Sequence, residues 1–236
     1  SGTGCITNDL WDRNIDKKVA RTRNRPIAKG AVGIASAIYI LIAMVTLSFL
    51  ALISLPKDSL SSCIPLSLIA LAAIAIYPSF KRWFPYPQGF LAFCWGFSVL
   101  IPWAAIEKSI EGFTLLFCWV GTLCWTFGFD TVYALPDRND DLNLGVKSSA
   151  ISLGENTKKI VSISYAITSI SILIAALLSK ITWIFWPIWL ISTVGMQREI
   201  ILLNINNCSI GESSKHFKNQ VLLGGLILFG LIISNG

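Results

Sequence analysis

Charge is what this 236-residue chain has least of. Only 14% of its residues are Asp, Glu, Lys or Arg, against about 25% in an ordinary soluble domain, while 54% are hydrophobic. With a mean hydropathy of +0.65, that deficit argues against a soluble protein and for an integral membrane protein. Histidine is nearly missing: His216 is the only one, and in its polar stretch it is given no role. The six cysteines (Cys5, Cys63, Cys94, Cys118, Cys124 and Cys208) form no CxxC pair and mostly sit in apolar runs. They read as small buried hydrophobes, which excludes a disulfide framework and a zinc site. No long basic arm or basic stretch interleaved with aromatics is present, which argues against nucleic acid despite a net charge of +6. There is no basic segment followed by an apolar core and a small-residue cleavage site, so no cleavable signal peptide is expected. An initiator Met is missing too, and Ser1 to Thr7 read as the tail of a helix whose body is absent.

Apolar runs are what the chain has in quantity. A spanning helix needs about 20 apolar residues, and seven candidates can be marked: Ala31–Leu55, Ile64–Phe80, Gly89–Ile106, Phe113–Leu135, Ile160–Leu178, Trp183–Met196 and Val221–Ser234. The sixth is short. Pro56, Pro65, Pro78 and Pro87 read as helix-end punctuation, and Pro102 and Pro187 as kinks within spans. The fold class expected is all-α, a single multi-helix transmembrane domain over residues 1–236. No internal repeat is legible.

Orientation follows from Lys and Arg. Segments 8–30, 79–88, 136–159 and 197–219 carry 7, 2, 4 and 3 of them, leaving only Lys57, Lys108 and Lys180 for the alternate loops. The long loops thus share one face, expected to be cytoplasmic.

Acidic residues are as unevenly placed as the basic ones. Seven of the eight aspartates fall in two clusters on that same face, Asn8–Asp16 and Asp130–Asp141, while the other acids are scattered singly. Carboxylates so close repel one another and raise each other's pKa unless a cation holds them, and oxygen-only ligands suit a hard metal such as Mg²⁺. On a helix Asn8, Asp12 and Asp16 fall at i, i+4 and i+8, and Asp137 and Asp141 repeat the spacing. Pro136 suits the opening of a fresh helical turn, so one unbroken helix from Asp130 to Asp141 is not expected. The alternative is that acidic loops merely solvate a membrane surface.

Basic residues follow the acids: Arg13, Lys17, Lys18, Arg21, Arg23, Arg25 and Lys29 after the first cluster, Arg138 and Lys147 in and after the second. One or two, with Arg25 and Lys147 the candidates, could clamp a phosphate group. The rest are positive-inside charge. Lys81 and Arg82 either bind an anionic acceptor or anchor a helix end. The nine tryptophans are mostly interface or packing residues, and a minority could line a greasy tunnel or face a carbocation.

NDLWDRNIDKKVARTRNRPIAKG (Asn8–Gly30) and DTVYALPDRNDDLNLGVKSSAI (Asp130–Ile151) resemble the two signatures of the UbiA-type membrane prenyltransferases. More narrowly they are similar to the 4-hydroxybenzoate polyprenyltransferase branch, whose second motif reads DTxYAxxDxxDD followed by GxKS, with a flavour like its cyanobacterial, solanesyl-transferring members. YPSFKRWFPYPQG (Tyr77–Gly89) and FKNQVLLGGLILFG (Phe217–Gly230) fit as well, so the resemblance covers almost the whole chain. It implies nine transmembrane helices around a lipid-accessible cavity capped by the two acidic loops. This chain would supply the last seven, lacking the first and most of the second. It also implies Mg²⁺ held by Asn8, Asp12, Asp16, Asp137 and Asp141, with Asp9, Asp130 and Asp140 supporting. Arg82 matches a basic residue that the family uses in activity, and Tyr133 with Asp140-Asp141 favours the hydroxybenzoate branch. The implied reaction transfers a polyprenyl group from its diphosphate to the ring of 4-hydroxybenzoate, for ubiquinone or plastoquinone, in a bacterial plasma membrane or a thylakoid. No obligate protein partner is expected. Alternatives are a prenyltransferase for homogentisate or chlorophyllide, a cation transporter, which would need ionisable residues at mid-membrane depth, and a non-catalytic scaffold.

Overall fold

The computed structural model describes residues 2–19 and 21–234, and among these every regular element is helical. A short N-terminal pair, α1 (Gly2–Trp11) and α2 (Arg13–Asp16), leads through the 17–33 segment into α3 (Ile34–Ile53), α4 (Lys57–Trp83), α5 (Pro87–Glu107) and α6 (Phe113–Tyr133). A 3₁₀ turn at Leu135–Asp137 opens the short α7 (Arg138–Leu144). Then come α8 (Ser149–Leu153), α9 (Thr157–Leu178), α10 (Phe185–Leu202) and α11 (Ile210–Ser234). α5 packs between α4 and α6, and the densest packing joins α6 to α9. α10 lies against α9 and α11, α11 returns to α6, and α1 rests on α3 and α4.

Six helical stretches are long and apolar enough to cross a bilayer: α3, α4, α5, α6, α8 joined to α9, and α11. The protein is an integral membrane protein, and large apolar side chains such as Tyr39, Ile106 and Trp183 stand exposed around the bundle, where lipid would cover them. α10, expected as a seventh span, falls short in composition because Gln197, Arg198 and Glu199 occupy its C-terminal half.

Two helices run further than their apolar runs suggest. α4 begins at Lys57, seven residues before the expected Ile64, so Pro65 and Pro78 lie inside it and do not mark its ends. Its polar first turns have partners: Ser59 and Ser62 donate to the carbonyls of Ala105 and Lys108, satisfying acceptors left open at the end of α5. α11 begins at Ile210, eleven residues before the expected Val221. Ser209 and Glu212 form a reciprocal capping box, the Ser209 N–H reaching Glu212 Oε2 at 2.8 Å and the Glu212 N–H reaching Ser209 Oγ at 3.2 Å. His216 therefore lies on a helix, not in a polar loop. It is buried, joined to the Tyr165 hydroxyl at 2.7 Å.

That contact belongs to a polar seam through the best-packed part of the bundle. Trp125 donates its indole N–H to Gln220 Oε1 at 2.8 Å, and Thr168 donates to the Gly121 carbonyl at 3.2 Å. Glycine permits the approach of α6 to α9: a Cβ on Gly128 would stand 2.5 Å from the buried Tyr165 ring. Gly128→Ala should cost about 1–3 kcal/mol through overpacking. Thermal unfolding in detergent micelles checks this, and an unchanged midpoint would contradict the α6–α9 packing.

Candidate active site

Both acidic clusters arrive at the head of one cavity of about 1290 Å³. On α4 its lining runs from Ser67 to Arg82, so at 1.5 Å per residue it reaches about 22 Å into the bundle. The deep wall is apolar, with Phe49, Leu68, Leu71 and Ile101, and the polar groups converge at the head.

The first cluster stays helical across a bend. α1 ends at Trp11 and Asp12 adopts φ −92°, ψ 6°, but the Asp12 and Asp16 amides still reach the carbonyls four residues back at 2.8 Å. Asn8, Asp12 and Asp16 therefore share a face as expected, distributed over two helices. The second cluster breaks where Pro136 predicts: Asp130 is in the last turns of α6, Asp137 closes the 3₁₀ turn, and Asp141 lies on α7. The loop after α7 is sewn to the α4–α5 corner. The Lys147 N–H donates to the Lys81 carbonyl at 2.7 Å, and Gln88 Oε1 accepts from the Ser149 amide and hydroxyl at 2.7 and 2.8 Å.

Of the twelve residues singled out from sequence, eleven line the cavity: Asn8, Asp9, Asp12, Asp16, Arg25, Arg82, Asp130, Tyr133, Asp137, Asp141 and Lys147. Asp140 does not. Asp137, Asp141 and Leu144 line it, and Asp140, about 100° of helical turn before Asp141, is not among the lining residues.

What sequence missed is the counter-charge. Lys81 donates to Asn8 Oδ1 at 2.8 Å and Asp12 Oδ2 at 3.0 Å, and Arg82 approaches Asp12 Oδ1 at 3.6 Å. Arg25 bridges Asp9 and Asp16 at 2.8 and 3.1 Å. Arg21 pairs with Asp137, donates to the Tyr133 carbonyl at 3.1 Å, and lies over the Tyr133 ring at 4.6 Å. Among the described residues, no three His, Cys, Asp or Glu side chains are gathered closely enough to hold a metal ion unaided. Nothing in the spacing of Arg21 distinguishes it from positive-inside charge, and Lys81 read as an acceptor ligand or a helix anchor; only the fold brings them to the acids.

Burial dominates the electrostatics. Asp16 and Asp137 are raised above the ordinary carboxylate range by desolvation, offset by Arg25 and Arg21 respectively. Desolvation, reinforced by the Asp137 charge, pushes Asp141 up to about 7. Lys81, hydrogen-bonded to the first cluster, also acts on Asp137 and Asp141, so the two clusters share one field. An all-oxygen set of carboxylates and one amide, with ionisation suppressed by burial, fits a hard divalent cation.

The UbiA prenyltransferase family profile matches residues 1–218. The chain belongs to that family. It is 36% identical over 237 residues to the 4-hydroxybenzoate solanesyltransferase of Synechocystis, a match covering 99% of this chain and 78% of that protein. It is also 36% identical to a mitochondrial 4-hydroxybenzoate polyprenyltransferase of Aedes aegypti, covering 96% of this chain and 51% of that longer protein. Among solved folds, an apo UbiA homologue from Aeropyrum pernix superposes with a TM-score of 0.78 at 23% identity, covering 98% of this chain and 84% of that one. A UbiA homologue from Archaeoglobus fulgidus bound to GPP and Mg²⁺ gives 0.62 at 16% identity, covering 97% and 82%.

Holding Asp141 near 7 has a signed consequence. Its folded pKa lies above the ordinary 3.8, so the stability it contributes is present at low pH and is lost as pH rises from about 4 through 7, where the folded carboxyl ionises. A divalent cation held by the carboxylate would reverse that loss. The increase in unfolding temperature produced by Mg²⁺ should therefore be larger at pH 8 than at pH 6, and Asp141→Asn should flatten the difference; a pH-independent Mg²⁺ effect in the wild type would contradict it.

Proposed function

We propose that this protein catalyses Mg²⁺-dependent transfer of a polyprenyl group from its diphosphate to the ring carbon ortho to the hydroxyl of 4-hydroxybenzoate, in quinone biosynthesis. The observation that carries this reading is one cavity with an acidic, base-rimmed head and an apolar shaft about 22 Å deep. A polyprenyl diphosphate has the same polarity along its length. The names of the Synechocystis and Aedes relatives support the aromatic acceptor.

Asn8, Asp12, Asp16, Asp137 and Asp141 would hold Mg²⁺, which when bound supplies positive charge to the departing diphosphate. Arg25, Lys147 and the supporting Asp9 and Asp130 belong to the same diphosphate-binding head, and Asp140, off the cavity lining, does not. The apolar shaft orients the chain and excludes water, which would otherwise hydrolyse the allylic cation as it forms. Arg82, half exposed at the rim, receives the carboxylate of the acceptor, leaving its electron-rich ring turned toward the allylic carbon. Tyr133, also at the rim, lies beside that ring. Attack by the ring and loss of its proton complete the substitution. The chain acts as a single domain whose acid-bearing face is cytoplasmic, in a plasma membrane or thylakoid.

Membranes carrying the protein should convert radiolabelled 4-hydroxybenzoate and solanesyl diphosphate into a lipid-extractable product with Mg²⁺ and not with EDTA. Homogentisate accepted in its place would change the acceptor and keep the reaction class. Asp137→Ala should lower turnover by at least about a hundredfold, and full activity in that variant would sink the assignment. Arg82→Ala should raise the KM for 4-hydroxybenzoate; an unchanged KM and rate would remove its proposed role.

A further inference from the structure

The first acidic motif already holds a cation. The Lys81 ammonium sits between Asn8 Oδ1 and Asp12 Oδ2, two oxygens that a divalent ion would take on the reading above. An ammonium and a divalent ion cannot share them, because like charges a few ångströms apart repel strongly in a cavity of low dielectric. One of the two must leave.

Total charge sets the terms of that exchange. The described residues lining the cavity include six aspartates (Asp9, Asp12, Asp16, Asp130, Asp137 and Asp141) and five basic side chains (Arg21, Arg25, Lys81, Arg82 and Lys147), a formal balance of one negative charge. Two divalent ions alone would carry it to three positive. A prenyl diphosphate alone, with about three negative charges, would carry it to four negative. Together they leave it near zero, the state that burial favours.

Mobility points to the same residue. Arg21 is fixed at three places, by Asp137, by the Tyr133 carbonyl and by the Tyr133 ring, and Arg25 bridges two carboxylates. Lys81 is a rotatable point charge on a four-carbon stem at the end of α4, beside the Tyr77 ring at 5.5 Å. It alone can give up its partners without unpacking a planar group.

We propose that Lys81 is the resident counter-ion of the first acidic motif: metal binding expels its ammonium from Asn8 and Asp12, and the freed ammonium then donates to the diphosphate, so that metal and diphosphate load together. The inference rests on the prenyl-transfer reading for the identity of the anion. A purely structural Lys81, pinning α4 to α1, would instead lose stability on substitution and gain no metal affinity.

The test uses the full chain in lipid nanodiscs with Mn²⁺, followed by its electron paramagnetic resonance signal, as the metal probe. Lys81→Met should bind Mn²⁺ alone about tenfold more tightly than the wild type, within the range of ordinary coupling between sites. At saturating Mg²⁺ it should bind inorganic diphosphate about tenfold more weakly. Lys81→Gln, which keeps a donor for Asn8 and Asp12 without the charge, should show the same gain for Mn²⁺ and guards against misfolding of the first variant. Lys81→Arg, which keeps the charge on a planar group that leaves its partners less readily, should bind Mn²⁺ no more tightly than the wild type. Folded Lys81→Gln with Mn²⁺ affinity equal to or below that of the wild type would overturn the proposal even if prenyl transfer is normal. Tighter Mn²⁺ binding by the variants, with a wild type that transfers no prenyl group, would uphold the competition and overturn the prenyl-transfer reading instead.

Discussion

Neutralising carboxylates at the mouth of an apolar cavity is the constraint on which the rest of this structure depends. Asp12 is only 4% exposed and Asp16 6%, at a depth where an unpaired charge costs several kcal/mol. Their partners come from two separate places in the chain: Arg25 from the segment after α2, and Lys81 and Arg82 from the end of α4. These ion pairs tie the N-terminal helices to the body of the bundle. They also keep the carboxylates in register with the apolar shaft beneath them.

The two sides of the bundle are built differently, and the difference follows use. Where α6, α9, α10 and α11 meet, Tyr165, Phe185, Met196 and Ile200 are fully buried, and the His216–Tyr165 and Gln220–Trp125 pairs cross-link helices that have little hydrophobic driving force to associate in lipid. On the opposite side α3, α4 and α5 enclose the cavity, and only 6% of the α3 span is buried within the protein. A rigid wall thus carries Asp130 and Tyr133 to the site, while space for a long apolar chain is left on the other side. Gly128 is where rigidity is bought, since the Tyr165 ring occupies the place of its missing side chain.

Much of this was legible because membrane helices and acidic motifs depend on local pattern. Pro136 marked the break between Asp130 and Asp137, and i, i+4 spacing put Asn8, Asp12 and Asp16 on one face even though the chain bends at Asp12. Helix starts were less legible where polar residues satisfy a neighbour. The Lys57–Cys63 stretch is unlike a span until Ser59 and Ser62 meet the end of α5, and the Ser209–Glu212 box that starts α11 lies in a stretch whose polarity reads as loop. Asp140 belonged to the motif by sequence, yet it is not among the residues that line the cavity.

By itself the sequence determined an all-helical membrane protein and the two places where its aspartates gather, because hydropathy, helical period and charge bias are properties of contiguous residues. Only the tertiary structure decided which bases meet those acids. Lys81 is 69 residues from Asp12, and Arg21 is 116 from Asp137, so no local rule relates them. Burial decided it: carboxylates drawn out of water take the nearest cations the fold supplies, and helix packing, not sequence distance, sets which ones those are.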